Sequence, residues 1–329
     1  MVLEAIYEQD FLDCSYGFRP QRSAHDALDS LREALMSMHG GWVYEVDVRK
    51  FFDSMVHSHM REILRHRVHD GVLLRLIGKW LNAGVMERGR ISYPEAGTPQ
   101  GGVISPLLAN IYLHHVLDAW FDQEIRPQLR GRSHLVRYAD DFVFVFELEA
   151  DALKVQGILA ARFASHGLTL HAEKTRMLDY RQPPHRGPRD PGPPAGPGTF
   201  DFLGFTHYWA RSQRGYWVVK RKTACARFRR AVHAISDWCR THRHLRVKEQ
   251  RRQLARKLQG HCNYYGITGN SRALSSFRHH LTDLWHKWLN RRSQRRRMTW
   301  ARFQRLLERH PLPPALCVHS TWRSRAANP

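Results

Sequence analysis

The stretch HLVRYADDFVFVF, residues 134–146, sets two adjacent carboxylates, Asp140 and Asp141, inside an otherwise apolar run. Its Val and Phe content reads as two buried β-strands folded into a hairpin around Ala139-Asp140. Two neighbouring anions repel, and each loses hydration on burial, so a chain that keeps both needs a cation there. A metal ion meets that need. A further carboxylate, Asp47, closes the β-rich run WVYEVD, 93 residues before Asp140. If the two strands are neighbours in one sheet, their carboxylates meet at one edge and share divalent cations. Acids at strand ends are also common structural residues, and the bare pattern leaves both readings open.

Around these strands the chain alternates between helix and strand. Residues 21–39 predict a helix with Ser23 as N-cap, ended by Gly40-Gly41. The run WVYEVDVRKFF breaks at Asp53-Ser54 into a helical segment near residues 57–82. GTPQGGVISPLLANIYLHHVLDAWFDQEI is a glycine-rich loop entering a long helix, with Ser105 the expected N-cap and Pro106 the first helical residue. DALKVQGILAARFASHG reads as an amphipathic helix and LTLHAEKTRMLDY as a strand. Residues 181–198 hold seven prolines and four glycines in eighteen positions and predict a surface loop. FDFLGFTHYW follows as a strand and turn, and from about residue 222 onward the pattern is helical.

Charge divides the chain more sharply than this pattern does. Residues 1–209 carry 23 Lys and Arg against 26 Asp and Glu, a net of −3, whereas residues 210–329 carry 29 against 4, a net of +25. A disordered basic tail would be poor in aromatics, yet Trp217, Trp238, Tyr264, Tyr265, Trp285, Trp288 and Trp300 run through this one. A folded domain with a basic face made for a polyphosphate fits better. The hydrophobic content of 42% is that of a globular chain. No apolar stretch approaches the roughly 20 residues that span a bilayer, so a soluble, cytosolic protein without a membrane partner is expected. The five cysteines form no Cys-x-x-Cys pair, and the 22 histidines form no ligand pattern; neither a zinc site nor a disulfide framework is implied.

YGFRPQRSAHDAL, DVRKFFD, GTPQGGVISPLLANIYL, RYADD, LHAEKTRM and FDFLGF occur in the order and approximate spacing of the reverse transcriptases. Their wording closely resembles the bacterial group II intron type. RKLQGHCNYYGITGN and MTWARFQRLL resemble that family's thumb and maturase region, so the likeness covers nearly the whole chain. It implies an α+β right-hand polymerase palm with partial fingers over residues 1–209, followed by an all-α, basic thumb and maturase region over 210–329. The implied activity is RNA-directed DNA polymerisation with a maturase role in intron splicing and mobility. Intron RNA, an RNA template, a DNA primer and deoxynucleoside triphosphates would be the partners, and two Mg²⁺ ions the cofactor.

Carried over by position, Asp47, Asp140 and Asp141 are the implied catalytic carboxylates and metal ligands, the first two more directly than the third. Phe52 matches the bulky position under the sugar of the incoming nucleotide, which implies deoxynucleotide selection; simple core packing is its alternative. Gln100, flanked by Gly101 and Gly102, matches the glutamine of the Pro-Gln-Gly turn, where a plain turn is the alternative. Lys174 matches a lysine near primer or nucleotide and competes with a solvated surface lysine. In the basic region, Arg221, Lys222, Arg229, Arg230, Arg251, Arg252, Arg256, Lys257, Tyr264 and Tyr265 are the candidate RNA contacts. The family pattern continues upstream of VLEAIYEQD into fingers segments that grip the triphosphate. The expectation is therefore a chain that binds RNA and extends a primer poorly, with an RNA-binding splicing factor or a truncated relic as the rival. Nothing resembles the cysteine-paired HNH endonuclease, so second-strand cleavage is not expected, and a defence-associated role fits the C-terminal region less well.

Overall fold

The computed structural model describes residues 2–82, 104–184, 198–292 and 298–319, together with the backbone of 85–87 and 90–92. Its elements, in chain order, are α1 (Val2–Tyr7), α2 (Ala24–Ser37), β1 (Trp42–Asp47), α3 (Phe51–Ser54), α4 (His57–Arg65), α5 (Gly71–Leu81), β2 (Val85–Glu87), β3 (Arg90–Ser92) and α6 (Ser105–Leu113). π-helical turns over His114–Ala119 and Phe121–Ile125 extend α6. There follow β4 (Ser133–Tyr138), β5 (Asp141–Phe146), α7 (Glu149–Ser165), β6 (Arg176–Asp179), β7 (Phe200–Phe202), β8 (Phe205–Arg211), β9 (Trp217–Thr223), α8 (Cys225–Thr241), α9 (Val247–Tyr265), α10 (Ser271–Asn290) and α11 (Trp300–Arg309). The fold is α+β. The chain divides into two compact units, residues 1–203 with 209–219 and residues 204–208 with 220–329.

In the first unit the sheet order is β4-β5-β1-β6, and every pairing is antiparallel. Both central strands are covered on two faces, which is why FVFVF is a continuous apolar run and not an alternating one. Phe142, Phe144 and Phe146 point into one cluster with Met60, Leu113 and Phe163 from α4, α6 and α7. Each is fully buried and contributes roughly 2–3 kcal/mol by leaving water. α2 starts as predicted: the Ser23 hydroxyl accepts from the Asp26 amide while the Asp26 carboxylate accepts from the Ser23 amide. Gly40 ends it with φ +89°, and a Cβ there would lie 2.3 Å from the Tyr180 carbonyl oxygen.

Three local expectations change. The predicted helix near 57–82 is two helices, because Asp70 Oδ1 accepts from the amides of Val72 and Leu73 and starts α5 afresh. Ser105 is not the N-cap; it is the first helical residue of α6, and Ile104 holds the cap position. The strand expected over LTLHAEKTRMLDY is broken: it forms a regular ladder over Arg176–Asp179 and a single antiparallel bridge of Leu170 to Val48, with residues 171–175 forming a turn between. Most of the proline-rich loop, residues 185–197, lies outside the described residues.

The second unit is chiefly helical. Leu254, Leu258, Leu274, Phe277, Leu281, Trp285 and Phe303 form its core from α9, α10 and α11, and Trp285 Nε1 donates to Gln250 Oε1 at 2.9 Å. Strand β9 precedes the helices, in a three-stranded sheet of order β7-β8-β9. His207 on β8 is fully buried. Burial, then the nearby Arg221 charge, lowers its pKa to about 3. An unfolded imidazole titrates near ~6.5, so between those values the unfolded chain takes up a proton that the folded chain refuses. Stability is therefore full above that window and falls as pH drops through it, by about 2 kcal/mol at pH 5 from this residue. Urea unfolding at pH 7 and pH 5 should show His207→Phe losing correspondingly less stability on acidification than the wild type. Equal losses would contradict the assignment. Among the described residues no helix is long and apolar enough to cross a membrane.

Candidate active site

The hairpin and β1 bring the predicted carboxylates to one sheet edge. Asp47 is the last residue of β1 and Asp141 the first of β5, and they are direct partners across the antiparallel ladder. Asp140 occupies the turn between β4 and β5, after Ala139, which is held left-handed at φ +58°. Asp47 and Asp140 are half-buried, while Asp141 is exposed. Burial above all raises the Asp140 carboxyl's pKa, and the negative charge of Asp47 adds to the rise, while Arg137 opposes it. The two acids therefore feel each other, and both face partial loss of water.

Lys174 joins them, its Nζ donating to Asp47 Oδ2 at 3.0 Å. The turn that carries Lys174 is tied to the same residue. The His171 amide donates to the Asp47 carbonyl oxygen at 2.8 Å, and the Asp47 amide donates to Thr175 Oγ1 at 3.4 Å. Phe52, on α3, is half-buried with its ring edge-on to Phe51 at 5.3 Å. Gln100, Gly101 and Gly102 lie outside the described residues.

No group of three or more His, Cys, Asp or Glu side chains converges on a metal position among the described residues. Asp47 and Asp140 are a two-carboxylate set of hard oxygen donors in mutual repulsion, Asp140 the more deeply desolvated. That set fits Mg²⁺, which keeps several waters and binds through one or two carboxylates plus substrate phosphates. The sequence reading missed the residues beneath this edge, Ser15, Gly17, Asn110, Asp118 and Arg137. The signal available was an arginine inside an apolar strand.

The basic residues of the second unit divide by exposure. Lys222, Arg229, Arg230, Arg252, Arg256 and Lys257 are exposed and Arg251 is half-buried. Arg221 is corrected: only 4% exposed, it has no surface to offer a polyanion. Tyr264 and Tyr265 are half-buried, their rings 5.7 and 5.2 Å from Phe205, so packing accounts for much of their surface. Two clefts that the sequence did not single out lie where α9 begins near α11. One, of about 450 Å³, is lined by Arg246, Lys248, Arg251, Arg252 and Arg309 with Glu249; the other, of about 290 Å³, by Arg302, Arg305 and Arg309.

Residues 1–207 match the reverse transcriptase (RNA-dependent DNA polymerase) family. Protein YkfC of Escherichia coli is 34% identical over 213 residues, which cover 54% of this chain and 54% of that protein. The group II intron-encoded protein LtrA of Lactococcus lactis is 40% identical over 142 residues, covering 40% of this chain and 23% of LtrA. The chain thus spans about half or less of the length of these relatives. A telomerase from Candida albicans, solved with a fragment of telomeric RNA, aligns with 93% of this chain and 54% of its own at 13% identity and a TM-score of 0.49. The family match over residues 1–207 and the paired strand-end carboxylates agree, and the chain belongs to the reverse transcriptase family.

Proposed function

We propose that this chain carries out RNA-templated DNA synthesis for a group II intron and binds intron RNA as its maturase. The observation that carries this reading is the meeting of Asp47 and Asp140 at one sheet edge, with the Lys174 ammonium on Asp47. Asp47 and Asp140 are the direct ligands of two Mg²⁺ ions in this proposal, and Asp141 stands beside them. Bound there, the ions would activate a primer 3′ hydroxyl and neutralise departing pyrophosphate. The chain's own contribution is placement: β1 and the β4–β5 hairpin present the carboxylates from rigid strands, and Lys174 supplies a cation within reach of triphosphate oxygens. Phe52 fills the space a 2′ hydroxyl would need, and Gln100, by its match to the Pro-Gln-Gly turn, is assigned to nucleotide binding. The exposed arginines and lysines of the second unit take the RNA backbone.

The test is extension of oligo(dT) on poly(rA) with dTTP, run in Mg²⁺ and in excess EDTA, with RNA affinity measured on the same preparation. Templated, Mg²⁺-dependent extension is expected. Tight RNA binding with no extension under any divalent cation would overturn the polymerase reading in favour of an RNA-binding splicing factor.

A further inference from the structure

Arg137 lies in the same strand as the carboxylate turn, three residues before Asp140, and its side chain is fully buried. All five of its N–H groups are used. Nε donates to Asp118 Oδ1 at 2.8 Å, and Nη2 donates to Asp118 Oδ2 at 2.5 Å and Ser15 Oγ at 2.7 Å. Nη1 donates to Asn110 Oδ1 at 2.9 Å and to the Ala139 carbonyl oxygen at 3.1 Å. Burying a guanidinium and a carboxylate together is expensive, and a well-packed apolar pair of similar volume would often be no worse for stability. An apolar pair has no N–H to give the Ala139 carbonyl.

That carbonyl is the point of interest, because Ala139 has a positive φ without being glycine, and its carbonyl carbon bonds directly to the Asp140 nitrogen. The turn is gripped from a second side as well. Residues 14–17 run alongside β4, with the Arg137 amide donating to the Cys14 carbonyl oxygen at 2.7 Å and the Tyr16 amide donating to the Arg137 carbonyl oxygen at 2.9 Å. Gly17 then passes so close to the turn that a Cβ on it would lie 2.4 Å from the Ala139 nitrogen. Asn110 on α6 joins both grips, since its Nδ2 donates to the Gly17 carbonyl oxygen at 2.6 Å while its Oδ1 accepts from Arg137. Segments distant in sequence thus converge beneath one carboxylate.

We infer that Arg137, backed by Asp118 and Asn110, is a positioning residue that holds the Ala139-Asp140 turn in the conformation that keeps Asp140 at the sheet edge it shares with Asp47. The inference rests on the proposed polymerase reading for its catalytic consequence, but not for its structural one. Lysine at this position keeps a cation for Asp118 but, with three donors on one nitrogen, cannot reproduce the planar five-donor fork. Asn110→Ala leaves the Arg137–Asp118 pair intact and removes only the link between the two grips.

The experiment combines amide hydrogen exchange of the peptide covering residues 138–142 with single-nucleotide addition on poly(rA)·oligo(dT) by wild type, Arg137→Lys and Asn110→Ala. Exchange in that peptide is expected to rise at least tenfold in Arg137→Lys, and several-fold in Asn110→Ala, with the rest of the sheet unchanged. The maximal rate of addition is expected to fall at least tenfold in Arg137→Lys, with the KM for dTTP and the affinity for poly(rA) within twofold of wild type. Should Arg137→Lys fail to fold, Asn110→Ala decides by the same readings. Wild-type exchange in the turn of a folded variant overturns the inference, as does a wild-type rate from a variant whose turn exchanges faster. If the wild type adds no nucleotide, the polymerase reading has failed, and the exchange arm still decides whether Arg137 holds the turn.

Discussion

Asp140→Asn is expected to lower Mg²⁺-dependent primer extension by at least ~10³-fold and to leave the fold and RNA affinity intact. The substitution keeps the shape of the side chain and removes one charge from a pair that burial and the facing Asp47 already disfavour. Losing that charge relieves repulsion in the folded state, so the variant should unfold at the same temperature as the wild type or higher. Residues kept for chemistry commonly cost stability in this way. A 10³-fold loss is about 4 kcal/mol of transition-state stabilisation, the scale on which a divalent cation acts. Extension and poly(rA) affinity measured on one preparation check both halves. Equal extension by variant and wild type would remove Asp140 from the site, and a variant that also lost RNA affinity would show damage to the fold.

RNA affinity is expected to fall by on the order of 10³-fold or more between 50 and 200 mM salt, the response of a protein that neutralises several phosphates. The charge behind it is concentrated: 29 Lys and Arg against 4 Asp and Glu after residue 209. Which arginines act follows from exposure. Arg302, Arg305 and Arg309 line the cleft beside α11 and are exposed, so changing all three to Gln should reduce the slope of log affinity against log salt by about 2–3 units, near ~0.7–0.9 per contact. Arg221→Gln should leave the slope unchanged, because Arg221 is buried. A dissociation constant insensitive to salt would refute the electrostatic reading. A full loss from Arg221→Gln in a folded protein would refute the division by burial.

The parts of this structure that were legible in the sequence are those governed by local rules. Five successive apolar residues after Asp141 announce a strand covered on both faces, and Ser23 marks the start of α2 as its N-cap. The sequence raised a shared edge for Asp47 and Asp140 only as a condition that the pairing of β1 with β5 meets, and the resemblance marked Lys174 as near primer or nucleotide without placing it on Asp47. What was missed depends on tertiary partners. Arg137 looked like one more basic residue, because its partners Ser15, Asn110 and Asp118 are 122, 27 and 19 positions away. Strand β9 was overlooked because three basic residues sit in WVVKRKT, and only the fold shows that Arg221 points inward while Lys222 stays in water. Asp70 was different: its N-cap role was readable and was passed over within a longer helical periodicity.

Whether Asp47 and Asp140 together hold divalent cations is decided by iron-directed backbone cleavage, which requires no turnover. Fe²⁺ replaces Mg²⁺ in oxygen-ligand sites, and with ascorbate and peroxide it cuts the peptide chain next to where it is bound. Cuts flanking Asp47 and Asp140 are expected in the wild-type chain, suppressed by excess Mg²⁺ and lost from both segments in Asp47→Asn. Cleavage confined to other segments, or undiminished at both carboxylates in that variant, would contradict cation binding by the pair.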